Sequence, residues 1–165
     1  MNLKTGLIIL VVIGIFCCKV AEPLTLQRMD YSLNNLKTQG YFYSKGDHFH
    51  CFFLYKNGIV YFYSTSAANF LELENKISNQ EIIKIDQKLQ YVWGVFKINN
   101  DEIMIERWLP GVGGPYPTQL LKGQILNDTT IAISGLRGRK YASEIDTFKF
   151  RFLEQKPDST NAFIE

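Results

Sequence analysis

The chain has 165 residues, with 18 Lys and Arg against 16 Asp and Glu, a net charge of +2 and 46% hydrophobic residues. The charges are interspersed, with neither the basic block of a nucleic-acid binder nor an acidic tail. Its three cysteines form no CxxC and no zinc-type set, and a disulfide is expected only if Cys17 or Cys18 is retained to bridge to Cys51, which is not the expected outcome.

In chain order, the first feature is an export signal. Lys4 precedes residues 6–18, an uncharged run made mostly of Leu, Ile and Val. A cation followed by an apolar run is the layout of a secretory leader. The run is about 13 residues, short of the roughly 18 to 20 needed to span hydrocarbon as a helix. Two processing modes are open. Ala21 suits the −1 position of an ordinary signal peptidase, but Lys19 then falls at −3, where a small residue is wanted. Alternatively, Ile15-Phe16-Cys17-Cys18 reads as a degenerate bacterial lipobox, with Cys18 acylated. The expected organisation is a signal peptide over residues 1–18, lipidated at Cys18, then a tether over residues 19–35. A β-barrel domain over 36–154 and a C-terminal tail over 155–165 follow. The expected address is the cell envelope, lipid-anchored at the periplasmic face or cell surface; the alternative is a secreted or periplasmic protein. Each CH₂ buried by an acyl chain contributes about 0.8 kcal/mol, so several chains anchor durably.

Without the leader, about 147 residues remain, one domain by length. Cys51 is then the sole thiol. Gly40-Tyr41-Phe42-Tyr43 starts the first strand, residues 48–55 form the second and 59–64 the third. Asn57-Gly58 between aromatic runs predicts a hairpin, because both residues tolerate positive φ. Ser66 is placed to cap a helix over 67–76, with Phe70, Leu73 and Ile77 on one face and Glu72 paired with Lys76. Residues 79–89 fit a second helix or a short strand. Strands resume at Tyr91, turn at residues 99–101 and run on to Trp108. The stretch Leu-Pro-Gly-Val-Gly-Gly-Pro-Tyr-Pro over 109–117 cannot be regular structure. Residues 119–126 and 129–134 form the next pair of strands, and Phe148, Phe150 and Phe152 mark the last. The result is mainly β: an antiparallel eight-stranded barrel or strongly curved sheet, with a helical insertion after the third strand. Phe49, Phe53, Phe62, Phe96, Phe148, Phe150 and Phe152 are the expected inward residues.

Few residues point to chemistry. His48 and His50 at i and i+2 share a strand face, but two imidazoles are too few for a specific metal site. Cys51 reads as a small buried hydrophobe. The 109–117 loop lacks the Gly-Lys-Ser/Thr of a phosphate loop; its functional reading is a lid at the barrel mouth, with Tyr116 as a ligand contact. Trp93 and Trp108 are the other candidate ligand contacts. Arg137, Arg139 and Lys140 fall in a Gly-containing turn and read as solvated surface. There is no Gly-x-Ser-x-Gly elbow. No catalytic residue, no metal and no cofactor is expected, and the protein is not expected to be an enzyme.

The stretches LKTQGYFYSKG, FFLYKNGIVYFY, WGVFKINNDEIMIE and KGQILNDTTIAIS, spread between Leu36 and Leu153, together resemble small, uncharacterised lipoproteins of Bacteroidetes-type bacteria. Those have lipocalin-like, more broadly calycin-like, barrels. The Gly-x-Trp of true lipocalins is replaced by Gly40-x-Phe42, and Trp93-Gly94 comes in mid-chain, so no lipocalin ligand residue carries over. The resemblance implies an envelope location and a barrel, and no activity. The expected function is a non-enzymatic envelope lipoprotein whose barrel binds a small apolar ligand. The alternative is a protein-interaction or scaffold module of the envelope with a filled interior. Membrane contact is by lipid, and nucleic acid is not an expected partner.

Overall fold

A computed structural model describes residues 21–31, 36–46, 49–65, 70–78, 84, 86–111, 116–136 and 144–165. Eight strands appear in chain order: β1 (Gly40–Lys45), β2 (Phe49–Leu54), β3 (Ile59–Thr65), β4 (Trp93–Asn99), β5 (Glu102–Trp108), β6 (Thr118–Asn127), β7 (Thr130–Ser134) and β8 (Ile145–Phe152). Each pairs antiparallel with the next, and β8 closes on β1. Closure leaves no sheet edge exposed. Between β3 and β4, the described residues include the α-helix α1 (Phe70–Ser78) and a short 3-10 helix, Gln90–Val92. The barrel and its insertion after the third strand are those expected from the alternation.

Period-two alternation separates two apolar layers. The inward layer takes residues from all eight strands, with Phe42, Phe52, Val60, Phe96, Ile105, Leu121, Ile131 and Phe148 almost wholly buried. Each large side chain so buried contributes about 1.5–3 kcal/mol. The outward layer covers only part of the wall. Tyr41, Phe49, Cys51, Phe53, Tyr61, Trp93 and Trp108 pack there with Leu73 and Ile77 of α1, and Ala21, Leu24, Phe163 and Ile164 pack against them. Phe49 and Phe53 therefore face outward, against expectation, and the inward row of β2 is His50, Phe52 and Leu54. Both faces of β2 are apolar because helix and termini cover its outer side, so alternation alone could not say which face is inside. Phe152 lies at the rim, 65% exposed.

Turn chemistry sets the ends of the barrel. Tyr55–Gly58 closes with Gly58 N donating to Tyr55 O at 3.0 Å, and only Gly58, at φ 78°, takes the left-handed conformation. Asn57 keeps negative φ, so the turn is not the primed type expected from Asn-Gly. Asn57 Oδ1 instead accepts from Ile59 N. The β4–β5 turn uses Asn100 at φ 54°, and Asn127 Oδ1 accepts from Thr129 N at 3.0 Å in the β6–β7 turn. These three tight turns gather at one end, the turn end. The helical insertion and the β1–β2, β5–β6 and β7–β8 connections gather at the other, the loop end.

Chain outside the strands closes the turn end. Tyr31 stacks on Phe96 with centroids 5.2 Å apart, accepts from Ile98 N at its hydroxyl, and donates its own N–H to Lys56 O at 2.7 Å. Leu36 adds its side chain to the inward layer. The described part of the expected tether, 21–31, thus lies on the barrel. Buried Glu106 on the outer face of β5 accepts from Thr25 N at 2.7 Å and Leu26 N at 2.6 Å, while Trp108 Nε1 donates to Glu22 O. The expected polar tail, 155–165, is also docked. Lys156 Nζ donates to Thr38 O and Leu54 O and sits 4.1 Å from the centroid of the Tyr55 ring, and Phe163 and Ile164 join the outer layer. Backbone groups that lack strand partners tie down both segments: Glu106 of the barrel accepts from two N–H groups of the N-terminal segment, and Lys156 of the C-terminal segment donates to the carbonyls of Thr38 and Leu54.

Candidate functional site

The inward rows change character toward the loop end. In β5 the row reads Ile103, Ile105, Arg107; in β3 it reads Val60, Phe62, Ser64; in β2 it runs from Leu54 through Phe52 to His50. Apolar residues thus fill the turn-end half and give way to polar ones at the loop end. There the interior opens into a cavity of about 410 Å³. It reaches down to Phe52, Phe62 and Phe148, has Arg107, His50 and Ser64 on its walls, and is bordered by Tyr91, Pro110 and Leu136.

The cavity continues into a seam in the wall. The β3–β4 ladder covers only Ile59, Val60 and Tyr61, opposite Val95, Gly94 and Trp93. Beyond it, the neighbour of β3 is the segment that runs from Asp86 through the 3-10 helix. Tyr63, Asp86, Tyr91 and Val92 line the cavity on that side. The segment is pinned from outside: the Tyr61 hydroxyl donates to Asp86 Oδ2, and Trp93 Nε1 donates to Asp86 O at 2.9 Å. Burial pushes the Tyr61 hydroxyl far up, and the neighbouring Asp86 charge adds to it. Burial also raises the Asp86 carboxyl, against the hydrogen bond from Tyr61. Expected strand residues Tyr91 and Val92 belong to the 3-10 helix, which leaves the ladder short.

Arg107 is the distinctive group. Its guanidinium lies 4.4 Å from the centroid of the Phe62 ring, a cation–π contact. Its Nε and Nη2 both donate to Gln119 Oε1, at 3.4 and 3.3 Å. Gln119 Nε2 in turn donates to Gly135 O at 2.9 Å, which fixes the amide. Burial pushes Arg107 down to about 10, still protonated at neutral pH. Its cross-strand partner on β4 is Gly94, where an added Cβ would lie 2.3 Å from Glu106 O and 2.9 Å from Arg107 Cβ. Glycine permits this close approach of the two strands. Opposite, His50 and Ser64 form a cross-strand pair with Nδ1 and Oγ 2.9 Å apart.

The sequence-predicted site residues lie elsewhere. Trp93 and Trp108 are buried in the outer layer, their indole N–H groups bound to backbone carbonyls, and do not line the cavity. Tyr116 packs on the same outer layer, 6.1 Å from Tyr91 between ring centroids, and its carbonyl accepts from Glu22 N. Pro110 alone of the described loop residues reaches the cavity. Cys51 is buried on the outer face and burial pushes its thiol up, away from thiolate chemistry. Cys17, Cys18, His48, Ser66, residues 112–115, Arg137, Arg139 and Lys140 lie outside the described residues. Among the described residues, no three His, Cys, Asp or Glu side chains group as metal ligands, and no helix is long and apolar enough to cross a membrane. Sequence reasoning missed Arg107, yet a signal was present: a cation stands in register with Ile103 and Ile105 on an otherwise apolar face.

No protein-family model, curated protein or solved structure matches the chain. The fold and the described site fit a binding or scaffold barrel.

Proposed function

We propose that the barrel binds a small apolar molecule in its loop-end cavity, as a lipoprotein of the cell envelope anchored through Cys18. The observation that carries the binding reading is the cavity itself. The turn-end half of the interior is packed with side chains, whereas about 410 Å³ lined by Phe52, Phe62 and Phe148 is left unfilled by the described residues. That volume falls in the range of about 300–1,000 Å³ of small-molecule sites. The scaffold alternative calls for an interior filled throughout. Native mass spectrometry of the protein purified from its own envelope tests the two readings. A retained small molecule supports binding, and a retained protein with the cavity empty supports the scaffold. The address rests on the basic leader, the Cys17-Cys18 pair and the resemblance to envelope lipoproteins. Labelling with radioactive palmitate in wild type and in Cys18→Ala tests it; label that survives the substitution removes Cys18 as the anchor.

A further inference from the structure

Resting on the binding reading, we infer that the ligand is an amphiphile with an apolar chain and a single carboxylate, and that Arg107 receives the carboxylate. A protonated guanidinium facing a cavity needs a reason to be there. Among the described residues, none with a carboxylate lies within ion-pair distance of it, and its polar contacts are the two N–H bonds to neutral Gln119. Both bonds use the Nε edge of the guanidinium. The other edge, with the N–H groups of Nη1 and the second N–H of Nη2, meets no acceptor among the described residues. Two parallel N–H donors on one planar edge match the two oxygens of a carboxylate.

The setting selects the rest of the ligand. Removing an ion from water is costly unless it is paired, so the pocket that half-buries Arg107 favours an anion beside it. Phe62 lies against the guanidinium, and Phe52 and Phe148 continue the apolar wall inward. A head at Arg107 thus places an attached chain along these rings. Among the described lining residues Arg107 is the one Arg or Lys, with His50 the other basic group and Asp86 a carboxylate, a balance that suits a monoanion better than a dianionic phosphate. The seam between β3 and the 3-10 helix gives a flexible chain a second way out of the barrel.

Isothermal titration of the full chain with decanoate, decanol and decylphosphonate tests the inference, since the three share one chain and differ in the head. Decanoate is expected to bind about 10- to 100-fold more tightly than decanol, the range for a charge-assisted bidentate pair. In Arg107→Met the preference disappears while decanol binding persists; in Arg107→Lys part of it remains. Equal affinity for decanoate and decanol in wild type overturns the role of Arg107 and leaves the apolar cavity standing. Tighter binding of decylphosphonate than of decanoate overturns the choice of a carboxylate. Failure of all three to bind overturns the inference together with the binding reading. The wild-type arms decide the matter even if a variant misfolds.

Discussion

Replacing Glu106 by Ala should release the N-terminal segment from the barrel without unfolding it. The side chain is 3% exposed, and its Oε2 accepts from both Thr25 N and Leu26 N, while Thr25 Oγ1 bridges both carboxylate oxygens at 3.0 and 3.1 Å. Each charge-assisted bond contributes about 1.5–3 kcal/mol net. The segment can swing into water once its acceptor is gone, so the loss stops at the free energy of docking the segment, and the sum of the bonds overstates it. With Leu24 on the outer layer and the Trp108–Glu22 bond at 2.7 Å also at stake, a loss of about 2–4 kcal/mol is expected in urea unfolding. Glu106→Gln should cost only about 1 kcal/mol, because an amide oxygen at the Oε2 position still accepts both N–H groups. Hydrogen exchange localises the effect. The amides of Thr25 and Leu26 should exchange at least about 30-fold faster in Glu106→Ala, while those of Phe96 and Ile131 shift only with global stability. Unchanged exchange at Thr25 and Leu26, with a stability loss below about 0.5 kcal/mol, would refute the assignment of Glu106 as the clamp.

Three further expectations follow from the packing. Burial holds Lys156 down at about 7 in the fold, against an ordinary value of about 10.4. The unfolded chain therefore binds more protons in that interval, and the contribution of Lys156 to stability grows as pH rises from about 7 to 10. The stability difference between wild type and Lys156→Met should rise over that window by up to about 1.4 kcal/mol per pH unit; a flat difference refutes the shift. Gly94→Ala places a methyl 2.3 Å from Glu106 O, so a loss of about 1–3 kcal/mol is expected from overpacking, and a neutral result in thermal unfolding would count against the close approach. Phe96→Ala removes the ring under Tyr31 and should cost about 3–5 kcal/mol, measured by denaturant midpoint; a cost below about 1 kcal/mol would mean that Tyr31 packs without it.

The barrel was legible because its strands alternate and turn chemistry marks each of the three tight turns at the turn end. Asn57-Gly58, Asn100-Asp101 and Asn127-Asp128 fix hairpins locally, and Phe148 and Phe150 fix the face of β8. The faces of β2 were not legible, because Phe49, Phe52 and Phe53 are all apolar and the side that is covered depends on α1, placed by contacts far along the chain. The site was obscured for the same reason. Trp93 and Trp108 look like ligand contacts by size, but their partners are Asp86 and Glu22, which no local pattern links to them. The docking of 21–31 depends on one carboxylate some eighty residues away, beyond the reach of any spacing rule. The Arg107 register was readable once Ile103 and Ile105 were known to point inward.

The short β3–β4 ladder also bears on how the molecule yields. In a hoop of eight staves, girth changes at the weakest joint, and here three residue pairs hold that joint against seven between β5 and β6. Stretching or warming the hoop therefore slips this joint first, and the slip extends a gap already continuous with the cavity. In the proposed binding role, a guest broader than the resting bore would enter by shear along this one line, with the other seven joints intact.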